Sequence, residues 1–263
     1  MDFLDLHRPG HPLLLPNAWD VGSARLLAGL GFHALATTSS GAAAAVGRRD
    51  GGLGREATLA HAAALVDATT LPVTADLENG FADDPEGVAA TVRAARATGL
   101  AGLSIEDAVA GEVYDAALAA ERIAAAAEAA HAGPDPIVLT ARAENFLYDR
   151  PDLDDTIARL QAFAAAGADV VYAPGLTTVA QVRTLVAAVD RPVNVLALPG
   201  LPGVEELGAA GVARISVGGA FAFLAYRAML DAARAFGERG SLSWTSASRA
   251  GSAAVRALLA DPD

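Results

Sequence analysis

One pattern recurs along the chain: a short apolar segment followed by an Ala-rich amphipathic one. The apolar segments are Leu13–Leu15, Ala34–Thr38, Pro72–Leu77, Gly102–Glu106, Ile137–Ala141, Asp169–Ala173, Pro192–Leu196 and Ala213–Val217, eight in all. Neighbouring parallel strands need a crossover, usually a helix, so strict alternation predicts a parallel sheet. Eight such units within 263 residues predict an α/β fold, a single (β/α)8 barrel. The expected domain spans 1–263, with the barrel over about 10–237 and an extension over about 238–263.

Local punctuation agrees with the alternation. Gly31, Gly99, Gly167 and Gly211 each stand where a helix should end in a left-handed cap. The first three are 68 residues apart, two units of 34. Asp84-Pro85-Glu86 reads as a cap, a proline at the first helical position and an acid in the first turn. Thr177-Thr178 opens another helix. Ser39–Gly54 reads as a long loop after the second strand, of the kind that forms a lid. A last helix is expected from about Ser246 to Ala260, one more than a barrel needs. No Gly-rich dinucleotide fingerprint is present.

Composition excludes whole classes of chemistry. All 19 cations are Arg, with no Lys and no Cys. That removes Schiff-base lysines, thiolate nucleophiles, disulfides and cysteine-ligated metals. A net charge of −12 without a basic patch argues against nucleic acid or an anionic membrane as partner. No apolar run is long enough for a membrane span, and the start Met1-Asp2-Phe3-Leu4-Asp5 lacks signal-peptide character, so a cytoplasmic location is expected.

Barrel enzymes place their chemistry where the strands end. Asp76 and Glu78 lie two apart, which on a strand puts both on one face. Glu106 stands at the same height on the next strand, and Asp50 can reach in from the long loop. Carboxylates crowded together repel unless a cation joins them, and an all-oxygen donor set favours Mg2+ or Mn2+. Arg142 at the next strand end either balances these acids or clamps an anionic ligand. Ser39-Ser40-Gly41 reads as a turn or an anion cradle, Gly218-Gly219 as a tight turn, and Trp19 as a packing residue before a stacking one.

Six motifs in register resemble the isocitrate lyase/phosphoenolpyruvate mutase superfamily. They are Pro16-Asn17-Ala18-Trp19-Asp20, Thr38-Ser39-Ser40-Gly41, Asp50-Gly51, Asp76-Leu77-Glu78-Asn79-Gly80-Phe81, Ile105-Glu106-Asp107 and Ala141-Arg142. The resemblance implies a Mg2+-dependent barrel that makes or breaks C–C or P–C bonds beside a 2-oxo carboxylate. It implies that Asp76 holds the metal, directly or through water, with Asp50, Glu78 and Glu106 around it. It implies catalytic roles for Arg142, Glu106 and Asp50. Ser39, Ser40, Gly41, Trp19, Asn194 and Arg142 would contact substrate. It also implies a homo-oligomer, dimer or tetramer, that exchanges a helix near the C-terminus.

One stretch departs from that pattern. Lyases of the superfamily carry a Cys-bearing loop after the Glu106 position, and mutases a Lys-bearing one. Here it reads Asp107-Ala108-Val109-Ala110-Gly111-Glu112-Val113-Tyr114, leaving Tyr114, Glu144 and Tyr148 as proton-donor candidates. The expected function is a lyase or hydrolase of a small 2-oxo or 2-hydroxy di- or tricarboxylate acting through a metal-stabilised enolate. Oxaloacetate, pyruvate and 2-oxoglutarate-like anions are the expected ligands. The alternatives are a P–C bond-cleaving phosphonate enzyme, a 2-oxo acid binding protein with little turnover, and a divergent class II aldolase.

Overall fold

The computed structural model describes residues 2–259. Met1 and the expected helix end at Ala260 lie outside them. The strands are β1 (Leu13–Leu15), β2 (Asn17–Ala18), β3 (Leu35–Thr37), β4 (Val73–Asp76), β5 (Gly102–Glu106), β6 (Ala108–Val109), β7 (Glu112–Val113), β8 (Val138–Arg142), β9 (Val170–Tyr172), β10 (Val193–Leu196) and β11 (Arg214–Ser216). The helices are α1 (Val21–Gly29), α2 (Ser39–Ala45), α3 (Arg55–Asp67), α4 (Pro85–Arg96), α5 (Ala116–His131), α6 (Leu153–Ala165), α7 (Val179–Ala188), α8 (Val204–Ala209), α9 (Ala220–Arg239) and α10 (Thr245–Leu258).

Nine strands form one parallel sheet in the order β1-β11-β10-β9-β8-β5-β4-β3-β2. Its two ends are the same piece of chain. β1 pairs with β11, and β2 pairs with β3 after a break at Pro16. One extended segment therefore bridges the last strand and the second, and the sheet closes into a (β/α)8 barrel of eight physical strands. Pro16 has no N–H to donate, but its carbonyl still accepts from Ala36 N at 3.0 Å. Asn17 completes the seam: Nδ2 donates to Thr37 O, and Oδ1 accepts from the backbone N–H of Val217 and Gly218.

Strand alternation sorts the side chains. Ala75, Leu103, Ile105, Leu139, Ala141, Val171, Val193, Val195 and Ile215 join the apolar layer between sheet and helices. The alternate positions face the barrel interior. Leu13, Leu15, Ala36, Val138 and Val170 pack there with Phe3, carried by a 3-10 turn over Leu4–Leu6.

The expected helix punctuation is present. Asp84 accepts from Gly87 N at 2.9 Å with Pro85 opening α4, and Thr178 and Gln181 form a reciprocal capping box on α7. The four cap glycines all have positive φ.

Two expectations change, and one element is new. Ser39–Gly54 is not one loop: Thr38 caps α2 by accepting from Gly41 N, and only Val46–Gly54 connects onward. Serine and glycine after a strand suggested a turn, but a Thr cap followed by four alanines makes a helix. Glu78 is not on a strand. β4 ends at Asp76, and Glu78 has φ +50° in the following turn. The stretch after Glu106 is a β-hairpin, β6 against β7, whose turn residues Ala110 and Gly111 both have positive φ. That is the backbone geometry of a tight hairpin.

Candidate active site at the barrel mouth

Arg142, the last residue of β8, organises the mouth. Its Nη1 donates to Asp76 Oδ1 at 2.8 Å and Nε to Glu144 Oε1 at 2.8 Å, and Nη2 forms an ion pair with Glu106 Oε2 at 3.0 Å. Its guanidinium also lies 5.4 Å from the centre of the Tyr172 ring. The carboxylates therefore gather around a guanidinium, whose rigid fork of donors bridges three at once. Among the described residues no three acids or histidines converge on one point as a ready-made metal cage.

Negative charge is in surplus. Asp50 and Glu78 form no ion pair among the described residues, yet both act electrostatically on this cluster. Burial, with Asp76 and Asp50 nearby, pushes the Glu78 carboxyl up to about 7. Burial also raises Glu106 and Glu144, with Arg142 opposing both shifts. One guanidinium cannot compensate five carboxyl groups.

Backbone geometry holds the acids in place. Asp76 Oδ2 accepts from Ser39 N at 3.3 Å, tying the start of α2 to β4. Glu78 N donates to Asp76 Oδ1 at 3.3 Å, so the left-handed turn folds back over the strand end. Buried Arg122 clasps the carbonyls of Glu106, Asn79 and Ala82 and lies 4.1 Å from the centre of the Tyr114 ring. Asp107 pairs with Arg159 at 3.1 Å and accepts from Glu144 N at 2.8 Å, which positions Glu144.

Two adjoining cavities open around Arg142. One, of about 180 Å³, descends into the barrel past Ser39, Ser40, Asp76, Arg142, Tyr172 and Asn194. The other, of about 510 Å³, lies under the hairpin between Glu78, Glu106, Glu144 and Tyr148. Asp50 and Ser39 line both. Asn194 is buried, and its Nδ2 donates to Ser216 Oγ at 3.0 Å.

Two candidate substrate contacts line neither cavity. Trp19 is half-buried, and its carbonyl accepts from His61 Nε2. Gly41 is buried in packing: a Cβ there would fall 2.6 Å from Thr38 Cγ2 and 2.9 Å from Trp19 Cβ. Of the three proton-donor candidates, Tyr114 is also outside, bonded to Asn79 and Asp83. Glu144 and Tyr148 face the larger cavity. Arg214 was not among the sequence candidates. Its signal was a lone cation inside the apolar run Val212-Ala213-Arg214-Ile215.

A family model described as phosphoenolpyruvate phosphomutase matches residues 3–236. The chain belongs to this family. Its relatives include an uncharacterised Mycobacterium tuberculosis protein, 38% identical over 220 residues, covering 83% of this chain and 82% of that one. Escherichia coli 2-methylisocitrate lyase is 29% identical over 227 residues, covering 78% and 73%. A Burkholderia cenocepacia crystal structure, provisionally named a lyase/mutase, superposes with a TM-score of 0.94 at 49% identity, covering 99% and 95%. Oxaloacetate acetylhydrolase with its product oxalate superposes with a TM-score of 0.83 at 25% identity, covering 92% and 88%. The family thus sits among lyases, mutases and hydrolases of small carboxylates. No helix among the described residues is long and apolar enough to cross a membrane.

Proposed function

We propose that the chain is a divalent-cation-dependent lyase or hydrolase of the cytoplasm. It cleaves a C–C bond in a small 2-oxo or 2-hydroxy di- or tricarboxylate through an enolate. The observation that carries this reading is the surplus of buried carboxylates around Arg142 beside a cavity at the strand ends. Such a set fits a hard cation, because Mg2+ needs only one or two direct carboxylates and keeps its waters. Asp76 would hold Mg2+ or Mn2+, directly or through water, with Asp50, Glu78 and Glu106 holding the waters. When bound, the cation would withdraw charge from the oxo and carboxylate oxygens of the substrate.

The remaining work belongs to the chain itself. Arg142 offers preorganised N–H donors where negative charge develops. Ser39 and Ser40 line the cavity as polar contacts for the carboxylate end. Burial raises the Tyr148 hydroxyl pKa, so Oη keeps a proton to deliver to a leaving carbanion. The hairpin shields the larger cavity but brings no Cys, His or Lys to it. That absence favours a second reading, a 2-oxo acid binding protein with little turnover.

Thermal denaturation with and without Mg2+ separates these cases. The ligands are oxaloacetate, pyruvate, 2-oxoglutarate, 2-methylisocitrate and phosphonopyruvate, each followed by product analysis. A ligand at ~100 times its Kd is expected to raise Tm by about 5 °C or more, only with Mg2+ present. Asp76→Ala should abolish that shift while leaving the fold intact by circular dichroism. Stabilisation without product supports the binding-protein reading. No stabilisation by any ligand removes both.

A further inference from the structure

Arg214 enters the barrel interior from β11, at a position where such barrels usually carry a branched aliphatic side chain. It is 4% exposed. Nη2 donates to Thr140 Oγ1 at 3.1 Å, and Nη1 lies 3.2 Å from His7 Nε2. Nε has no partner. His7 brings no compensating charge: burial and the neighbouring guanidinium push its pKa down to about 3, so it is neutral. No carboxylate among the described residues forms an ion pair with Arg214, and Arg142 above repels it. A buried cation without a counter-ion is costly, and a bound anion would supply the missing charge.

The surroundings are those of a ligand site. The smaller cavity runs from Ser39, Asp76 and Arg142 down to Arg214. Asn194, 1% exposed, stands beside Arg214 in register and has an unpartnered Oδ1. Arg214 contacts Thr140, which lies two residues before Arg142 on β8. Thr140 and Arg142 alternate onto the same face of β8, so Arg214 reaches the level one inward-facing position before Arg142 on that strand.

We propose that Arg214 is the floor of a second anionic subsite, which makes the substrate a short dicarboxylate. Its 2-oxo or 2-hydroxy end sits at the mouth against Asp76 and Arg142. Its distal carboxylate descends to Arg214. This rests on the mouth being a 2-oxo or 2-hydroxy carboxylate site, as proposed above.

Two ligand pairs test the subsite by differing only in the distal group: malate against 2-hydroxybutyrate, and oxaloacetate against 2-oxobutyrate. Binding to the intact protein is measured by calorimetry with Mg2+. The dicarboxylate should bind about tenfold tighter or more in each pair, as expected for a desolvated charge-assisted hydrogen bond. Arg214→Met should erase the preference while the monocarboxylates keep their affinity. Arg214→Lys should retain part of it. If Arg214→Met does not fold, the wild-type preference and Arg214→Lys decide.

Equal binding within each pair by the wild type overturns the subsite and leaves the mouth reading standing. A preference that survives Arg214→Met also overturns it. Equal binding within each pair, together with sulfate stabilising the wild type but not Arg214→Met, identifies a free-ion site and overturns the substrate assignment. If none of the four acids binds, the mouth reading fails, and the subsite fails with it.

Discussion

Glu78 concentrates the electrostatic tension of the mouth in one side chain. Its carboxyl is pushed up to about 7 by burial and by Asp76 and Asp50, against an unfolded value near 4.5. Between these values the unfolded chain gives up the proton while the native state keeps it. Native stability therefore falls as pH rises from about 4.5 through 7. His7 works in the opposite sense, since its pKa drops from 6.5 to about 3 on folding. The informative quantity is thus the difference between wild type and Glu78→Gln. Without metal, the variant's Tm should gain on the wild type as pH is raised from 5 to 7.5, and Mg2+ should close the gap by stabilising the wild type. A constant difference across that range would show that Glu78 is not strained by its neighbours. Asp76, Glu78, Glu106 and Arg142 were legible because acids and a lone cation at the ends of apolar runs have few structural uses. The route by which Glu78 arrives was not legible. Strand alternation predicts it on the same strand face as Asp76, whereas a left-handed turn held under the Arg122 clasp carries it there.

At the scale of elements, α2 shows how the fold sets the chemistry. Its Thr38 cap brings Ser39 N onto Asp76, and Gly41 lets the helix press against Trp19. A Cβ at Gly41 would meet Thr38 Cγ2 at 2.6 Å, although φ there is ordinary. Overpacking of this kind costs about 1–3 kcal/mol. Gly41→Ala should lower Tm accordingly and also weaken ligand binding, because displacing α2 moves Ser39. Gly237, inside α9, is the control: a Cβ there meets nothing within 4 Å. Gly237→Ala should be neutral or stabilise by up to about 1 kcal/mol. Equal losses in the two variants would contradict the packing argument. The parallel strands were visible in advance because most are buried on both faces and read as short, mainly apolar runs. The hairpin β6–β7 and helix α2 were not. Both are short, and their formation depends on one cap or one two-residue turn rather than on periodicity.

For the whole molecule, the last two helices are the elements the barrel leaves most uncovered. α9 runs twenty residues but buries only Ala222 and Ala235, leaving Phe223, Leu224, Met229, Leu230 and Phe236 exposed. α10 buries none of its residues. It folds back far enough for Leu258 to sit over Gly29 of α1, while Val255 stays exposed. Elsewhere the exposed large apolar side chains, such as Leu30, Val46 and Val204, are scattered along the chain, whereas α9 alone carries five. Large apolar side chains left exposed together on one helix mark an interface. Closed symmetry lets one such patch satisfy itself against a second copy. A homo-oligomer built on α9 is therefore expected, and light scattering after size exclusion should give a mass of at least twice 26.5 kDa. Leu224→Glu combined with Phe236→Glu places charges on the exposed face while leaving Ala222 and Ala235 in the core. That variant should run as a monomer with the barrel intact by circular dichroism. Its binding of malate would then show whether the mouth is complete within one chain. A wild-type protein that stays monomeric at micromolar concentration would mean that α9 and α10 serve some contact other than self-association.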